Sequence, residues 1–223
     1  MLSRPSAPSV RFHGPSSSRA TPASSRATPP SSRAVPSSGR AKSLAVAVDA
    51  LWASAAQAQA EGDHARAEGI FATLVKVLPN DGEAWFAKAI AAGWAAEPGR
   101  HRFDEVMVGV GFAIECAPSA AKRELRRRGA RALALLAEIT FDELPACLAP
   151  GARVTSGRAC LRLLDHAREL DPAHGGATRA ILHVAESLLG VARVARMSPE
   201  TIAALDRHRR SASRALAANP PIH

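Results

Sequence analysis

The residues that could support catalysis or metal binding are scattered through this 223-residue sequence. Its eight histidines include His166, His174 and His183, which are close in sequence but lack the cysteine or carboxylate spacing of a metal site. No phosphate-binding glycine loop, zinc-protease motif or serine-hydrolase elbow occurs. We therefore expect no catalytic residue, no metal and no cofactor, and we predict that the protein is not an enzyme.

The three cysteines, Cys116, Cys147 and Cys160, are odd in number and form no C-x-x-C pair. This pattern indicates neither a disulfide framework nor a zinc site. A free cysteine usually packs as a small apolar side chain. The sequence therefore predicts that each of the three is buried in the core.

A cationic cluster runs from Arg126 through Arg127 and Arg128 to Arg131. Its charge suits either phosphate binding or a solvated helix face. A nucleic-acid interface would add interleaved aromatic side chains, and none lies beside these arginines. We expect nucleic acid not to be the main partner. Anion or nucleic-acid binding through the Arg126–Arg131 cluster and the basic N-terminus remains the alternative function.

The net charge of +9 is unevenly distributed along the chain. Residues 1–43 hold seven bases and no acid, whereas residues 44–116 hold ten acids against five bases. Residues 117–223 hold ten acids against seventeen bases. A uniformly basic domain would suit a polyanion, but alternating signs indicate local patches and a basic tail.

Helices are the elements that must position these side chains. The sequence is rich in alanine and only 4% aromatic, which favours helix, and no alternating apolar run predicts a strand. We predict one all-α domain over residues 44–223. Its helices are expected at 44–60, 64–78, from the Asp81 N-cap to Glu97, 103–116, 119–139, 157–170, 173–195 and 199–218, with Ser43 and Ser198 as further N-caps.

The stretch 61–86 contains Ala67, Phe71, Pro79 and Trp85 in a fixed order. It resembles the tetratricopeptide repeat (TPR), a helix-turn-helix unit of about 34 residues with a Trp, an A-x3-F step and a terminal proline. The resemblance implies a right-handed superhelix of antiparallel helix pairs, about three to four hairpins, closed by a C-terminal capping helix. It also implies a protein–protein interaction scaffold.

The spacing of the terminal prolines departs from the repeat later in the chain. Pro79 and Pro118 are 39 residues apart, and Pro118 and Pro172 are 54 apart. The 54-residue spacing exceeds the repeat length by about twenty residues, and this excess corresponds to an irregular connection predicted over residues 140–156. Long loops are either functional or a sign of a wrong helix boundary.

In TPR proteins the first helix of each pair lines a concave groove. Carried over by position, the resemblance places three aromatic, one aliphatic and two cationic side chains there. Interhelix packing is the alternative role of Trp94 and Phe86. The resemblance implies an adaptor that holds a partner protein or peptide with apolar anchors and an acidic or carboxylate end. The six predicted groove residues are Trp52, Phe86, Ile90, Trp94, Lys122 and Arg126.

Residues 1–43 repeat Ser, Arg, Ala and Pro, as in SSRATPA and SSRATPP. This composition offers too little apolar surface to offset ordering entropy, so we predict a disordered tail. The tail is interpreted as a linker, an organelle transit segment or a phosphorylation region. No apolar run predicts a secretory signal or a membrane span, so a cytoplasmic protein without membrane contact is expected, with organelle targeting as the alternative.

Overall fold

The computed structural model describes residues 38–97 and 100–218, which form eight α-helices and no strand. The prediction of an all-α fold is thereby confirmed for the described residues. The helices are α1 (Ser38–Ala60), α2 (His64–Val77), α3 (Gly82–Trp94), α4 (Phe103–Cys116), α5 (Ser119–Asp142), α6 (Pro150–Leu170), α7 (Gly175–Val194) and α8 (Pro199–Ala218).

Local capping sets several of these boundaries. Gly62, with a φ of +75°, turns the chain after α1, and the Asp63 side chain then accepts a hydrogen bond from the backbone of Arg66. The Asp81 carboxylate accepts from the backbone N–H groups of Glu83 and Ala84 in the first turn of α3, at 2.8 and 3.2 Å. Ser198 accepts from the Thr201 N–H at 3.3 Å. The N-caps predicted at Asp81 and Ser198 are confirmed.

Two predicted boundaries are wrong. Since α1 begins at Ser38, Ser43 lies inside the helix instead of capping it. The preceding residues 40–42, Arg-Ala-Lys, all favour helix and extend it upstream. The partner helix predicted from residue 157 begins at Pro150, since a proline in the first turn loses no intrahelical hydrogen bond. The predicted irregular connection shrinks to residues 143–149. Residues 38–43 are helical, and the rest of the predicted tail lies outside the described residues.

Adjacent helices pack in pairs along the chain. The main packing partners are α1 with α2, α2 with α3, α3 with α4, α5 with α6, α6 with α7, and α7 with α8. Contacts also skip one helix, from α3 to α5, from α4 to α6 and from α5 to α7. Such near-neighbour packing is typical of helical repeats.

The helix α3 lies between two apolar clusters. Ala84, Ala87 and Ala91 belong to the cluster that α1 and α2 form, whereas Phe86 and Ile90 belong to the cluster of the helices that follow. The large cluster spans α3 to α8 and includes most of the buried leucines. The N-terminal cluster consists of Ala55, Ala58, Ala67, Phe71, Leu74, Val75, Ala84, Ala87 and Ala91.

Candidate interaction surface

The structure separates the six predicted groove residues. Phe86 is only 2% exposed, and Ile90 is buried beside it in the large cluster. The guanidinium of Arg128 lies over the Phe86 ring, 5.0 Å from its centroid. Phe86 and Ile90 are therefore core residues, because the face of α3 that the repeat pattern assigned to a groove packs against neighbouring helices. This corrects their predicted accessibility to a ligand.

Trp52 and Trp94 are half-buried between helices. The Trp52 ring meets Phe71 edge-on, with centroids 5.6 Å apart, so it joins α1 to α2. The Trp94 ring lies 6.0 Å from the His64 ring at the start of α2. Both tryptophans pack helix against helix and keep only part of each ring accessible.

The cationic side chains of α5 differ in their partners and in their exposure to solvent. Arg128 forms a 2.8 Å ion pair with Glu83 and so links α5 to α3. Lys122 is half-buried, whereas Arg126 and Arg131 are exposed. The side chains of Arg126 and Arg131 are therefore accessible to an anion.

A second surface lies on α4 and was missed by the groove prediction. Val108 is 73% exposed and Phe112 is 41% exposed, although α4 buries its other side in the large cluster. Asp104 and Glu115, also exposed, lie one turn before Val108 and one turn after Phe112. These four residues form one side of the helix, which we call the α4 face. It is apolar in the middle and has a carboxylate at each end, and the carboxylate of Asp104 also lies 3.7 Å from the guanidinium of Arg162 on α6.

Trp85 of α3 extends the α4 face sideways. Its ring meets Phe112 edge-on at a centroid distance of 4.7 Å. The indole N–H donates a 2.9 Å hydrogen bond to the carbonyl of Pro79, and the Lys88 ammonium lies 5.4 Å from the ring centroid. These contacts hold Trp85 in one orientation, and a rigid aromatic side chain loses little entropy when a partner covers it.

A shallow cleft of about 170 Å³ lies between α3 and α4. Its floor is the close crossing of Ala89 and Gly109, where a Cβ on Gly109 would lie 2.7 Å from that of Ala89. The cleft is therefore narrow because two small residues allow the helices to approach. Its lining residues are Trp85, Lys88, Ala89, Glu105, Val108 and Gly109.

An ion-pair network fixes the start of α4. Arg102 donates to both carboxylate oxygens of Glu68, each at 2.7 Å, and to Glu105 at 2.7 Å. The hydrogen bonds to Glu68 hold the pKa of Arg102 above its usual value. Because Glu68 belongs to α2, the network joins the N-terminal cluster to the helix that carries the α4 face.

One sequence signal could have revealed this surface. The segment 106–114 reads VMVGVGFAI and is apolar at nearly every position, which is more than one buried helix side requires. The structure buries Val106, Val110 and Ala113 of this segment. Val108 and Phe112 are the large apolar residues of the segment that stay exposed, and their spacing of four places them together.

The cysteines follow the prediction only in part. Cys160 is buried, and burial raises the pKa of its thiol to about 12, so it stays protonated at neutral pH. Cys116 is half-buried and Cys147 is exposed, so the prediction of a buried Cys147 is wrong. Cys147 lies in the short connection between α5 and α6, which packs less tightly than a helix interior.

Among residues 38–97 and 100–218, no group of three or more His, Cys, Asp or Glu side chains is placed to hold a metal ion. None of the helices in the described residues combines the length and apolar character needed to cross a membrane.

Over the described residues the fold is all-α, with successively packed helix pairs and an apolar surface, the α4 face, that has a carboxylate at each end. Comparison with protein-family models, with curated proteins and with solved structures finds no match for this chain.

Proposed function

We propose that this protein is a non-enzymatic helical-repeat adaptor of TPR-like architecture that binds a protein partner on the α4 face. The exposure of Val108 and Phe112 beside Trp85 carries the proposal. Apolar side chains that adjoin one another on a surface mark interaction sites more often than isolated ones do. Aromatic residues are also enriched among those that dominate binding energy.

The charges around the α4 face indicate the kind of partner. Asp104 and Glu115 lie at its two ends, and Glu105 lines the adjoining cleft. An amphipathic helix with an apolar stripe and basic ends would cover Val108 and Phe112 and approach these acids. The proposed partner segment is therefore apolar and basic, unlike the acidic peptide expected from the repeat resemblance.

The predicted groove supports binding less well than the α4 face. Its members Phe86 and Ile90 are buried, and Trp52 and Trp94 are engaged between helices. An acidic peptide would find accessible charge at Arg126 but few apolar anchors beside it. We therefore retain the adaptor function and propose the α4 face, instead of the groove, as the binding surface.

A designed peptide tests this proposal. An amphipathic helical peptide with a leucine stripe and lysines at both ends is titrated against the full chain by calorimetry. We expect Val108→Glu with Phe112→Ala to weaken binding at least tenfold, because the apolar contact is lost. Val194→Glu is the matched control, since Val194 is 87% exposed at the end of α7.

The same peptide with glutamates at its ends should bind at least tenfold more weakly, because Asp104 and Glu115 would repel it. If the chain with Val108→Glu and Phe112→Ala binds the lysine-ended peptide as tightly as the unmodified chain does, the α4 face is not the binding surface and the proposal fails.

Anion binding is the second candidate function, and the exposure of Arg126 and Arg131 favours it. Counterion release predicts that retention on a polyanion column falls steeply as salt rises. Replacing both arginines by glutamine should weaken retention and flatten the salt dependence. Unchanged retention in that variant would remove the cluster from the function.

A further inference from the structure

The start of α1 is a second apolar surface that nothing in the described residues covers. α1 has 23 residues and α2 has 14, so α1 is longer by about 13 Å at 1.5 Å per residue. Leu44 is 53% exposed and Val46 is 70% exposed. The first turns of α1 therefore extend into solvent beyond the end of the helix pair.

The sequence of this segment is unusual for a solvated helix. Residues 44–48 read LAVAV and are apolar on every side of the helix. Leu44 and Val48 continue the stripe that Leu51 and Ala55 bury against α2 and α3, whereas Val46 lies on the opposite side. A helix that is apolar all round is normally buried. In residues 42–48, which we call the α1 start, Val48 packs against the N-terminal cluster, whereas the described residues leave Leu44 and Val46 uncovered.

The following inference rests on the proposed binding role of the α4 face. We propose that the α1 start of a second copy of this chain binds to the α4 face. The two surfaces are complementary in charge. Exposed Lys42 begins the segment and follows a stretch without acids, whereas Asp104 and Glu115 end the α4 face. Both surfaces are apolar in the middle, at Leu44 and Val46 on one and at Val108 and Phe112 on the other.

The geometry of α1 excludes docking within one molecule. α1 is continuous from Ser38 to Ala60 and is fixed to α2 by the turn at Gly62 and by the Trp52–Phe71 contact. Moving its first turns onto α4 of the same chain would break the helix or separate α1 from α2. A second copy avoids both costs, and two copies can exchange the contact reciprocally to form a closed pair.

Sedimentation equilibrium of the full chain measures this association. We expect the unmodified protein to form dimers. Leu44→Glu with Val46→Glu, the α1 variant, and Val108→Glu with Phe112→Glu, the α4 variant, should each weaken dimerisation at least tenfold. All four side chains are exposed, so the fold should persist, as thermal unfolding followed by circular dichroism would show. Val194→Glu is the matched control and should dimerise like the unmodified chain.

Mixing the two variants identifies which surfaces meet. The α1 variant retains an intact α4 face, and the α4 variant retains an intact α1 start. If α1 docks on α4, the mixture forms a one-to-one complex that neither variant forms alone, held by one contact instead of two. If like surfaces meet instead, at least one variant dimerises by itself, and the proposal is overturned.

A monomeric unmodified chain at all accessible concentrations would also overturn the proposal. The lysine-ended peptide then separates the two ideas. If the monomer binds that peptide through Val108 and Phe112, the adaptor function stands and only self-association is lost. If neither the peptide nor a second copy binds, both proposals fail together.

Discussion

The N-terminal cluster and the large cluster share one plan of paired helices but are filled differently. Six of the nine residues in the N-terminal cluster are alanines, and Phe71 is its largest fully buried side chain. The large cluster contains ten leucines. Because buried apolar area governs the hydrophobic contribution to folding, alanine lets helices approach closely but contributes little. The N-terminal cluster should therefore be less stable and depend on a few large residues.

α3 couples these two regions because it contributes residues to both clusters. In a chain of stacked helices, stability is roughly a sum of local and nearest-neighbour terms, so one end can open while the rest stays folded. Loss of α1 and α2 would uncover one side of α3 only. We expect the N-terminal end to open first.

The largest expected effect is that of Phe71→Ala. Removing this ring leaves a cavity among alanines and frees Trp52, and it should cost about 3–5 kcal/mol. Hydrogen exchange should then lose protection mainly in α1 and α2, with α5 to α8 still protected.

Leu164→Ala is the comparison in the large cluster, where it should cost about 2–5 kcal/mol and lower protection throughout α5 to α8. A Phe71→Ala variant that loses protection equally in all helices would show that the two clusters unfold as one.

Two glycines of α4 test how closely α4 packs against α3, the helix shared by both clusters. A Cβ on Gly109 would lie 2.7 Å from the Cβ of Ala89, so Gly109→Ala must push α3 and α4 apart and should destabilise by about 1–3 kcal/mol. Nothing lies within 4 Å of a Cβ on Gly111, so Gly111→Ala should stabilise the helix by about 0.5–1 kcal/mol. Chemical denaturation measures both. If both substitutions raise or both lower the free energy of unfolding, the close approach of α3 and α4 at Ala89 and Gly109 is contradicted.

The Arg102 network should have a smaller effect because Arg102 is more than one-third exposed. Arg102→Ala removes the pairing with Glu68 and Glu105 and should cost about 1 kcal/mol. Arg102→Lys should recover only part of this, since an ammonium cannot form two parallel bonds to Glu68. A double-mutant cycle with Glu68→Gln measures the coupling. Zero coupling would mean that the network does not tie α2 to α4.

The smallest expected effect concerns Glu138, on the side of α5 near α7. Burial raises the pKa of Glu138, and the nearby Asp142 adds to the shift, whereas His174, His183 and Arg179 oppose it. The folded state therefore binds this proton more tightly than the unfolded state does, and the ionised carboxylate disfavours folding above the raised pKa.

Glu138→Gln should thus increase the free energy of unfolding at neutral pH. The gain should shrink as pH falls through the raised pKa towards the usual value of 4.5, where both states are protonated. Denaturant titrations at several pH values measure it. A gain that grows as pH falls would contradict the assigned direction.

Local sequence patterns predicted most of the helices, because their signals act over a few residues. The N-caps at Asp81 and Ser198 need only neighbouring positions to be recognised. The boundary errors at Ser43 and Pro150 are local too. Both residue types are tolerated inside or at the start of a helix, so their presence does not decide where a helix begins.

By itself the sequence determined an all-α chain of helix pairs and the apolar content of each helix. Only the tertiary structure decided which apolar residues remain exposed. Phe86 and Phe112 look alike in sequence, yet Phe86 is buried and Phe112 lies on the α4 face. The physical reason is that exposure depends on how α3, α4 and α5 cross, and those crossings arise from close contacts between residues far apart in sequence, such as Ala89 and Gly109.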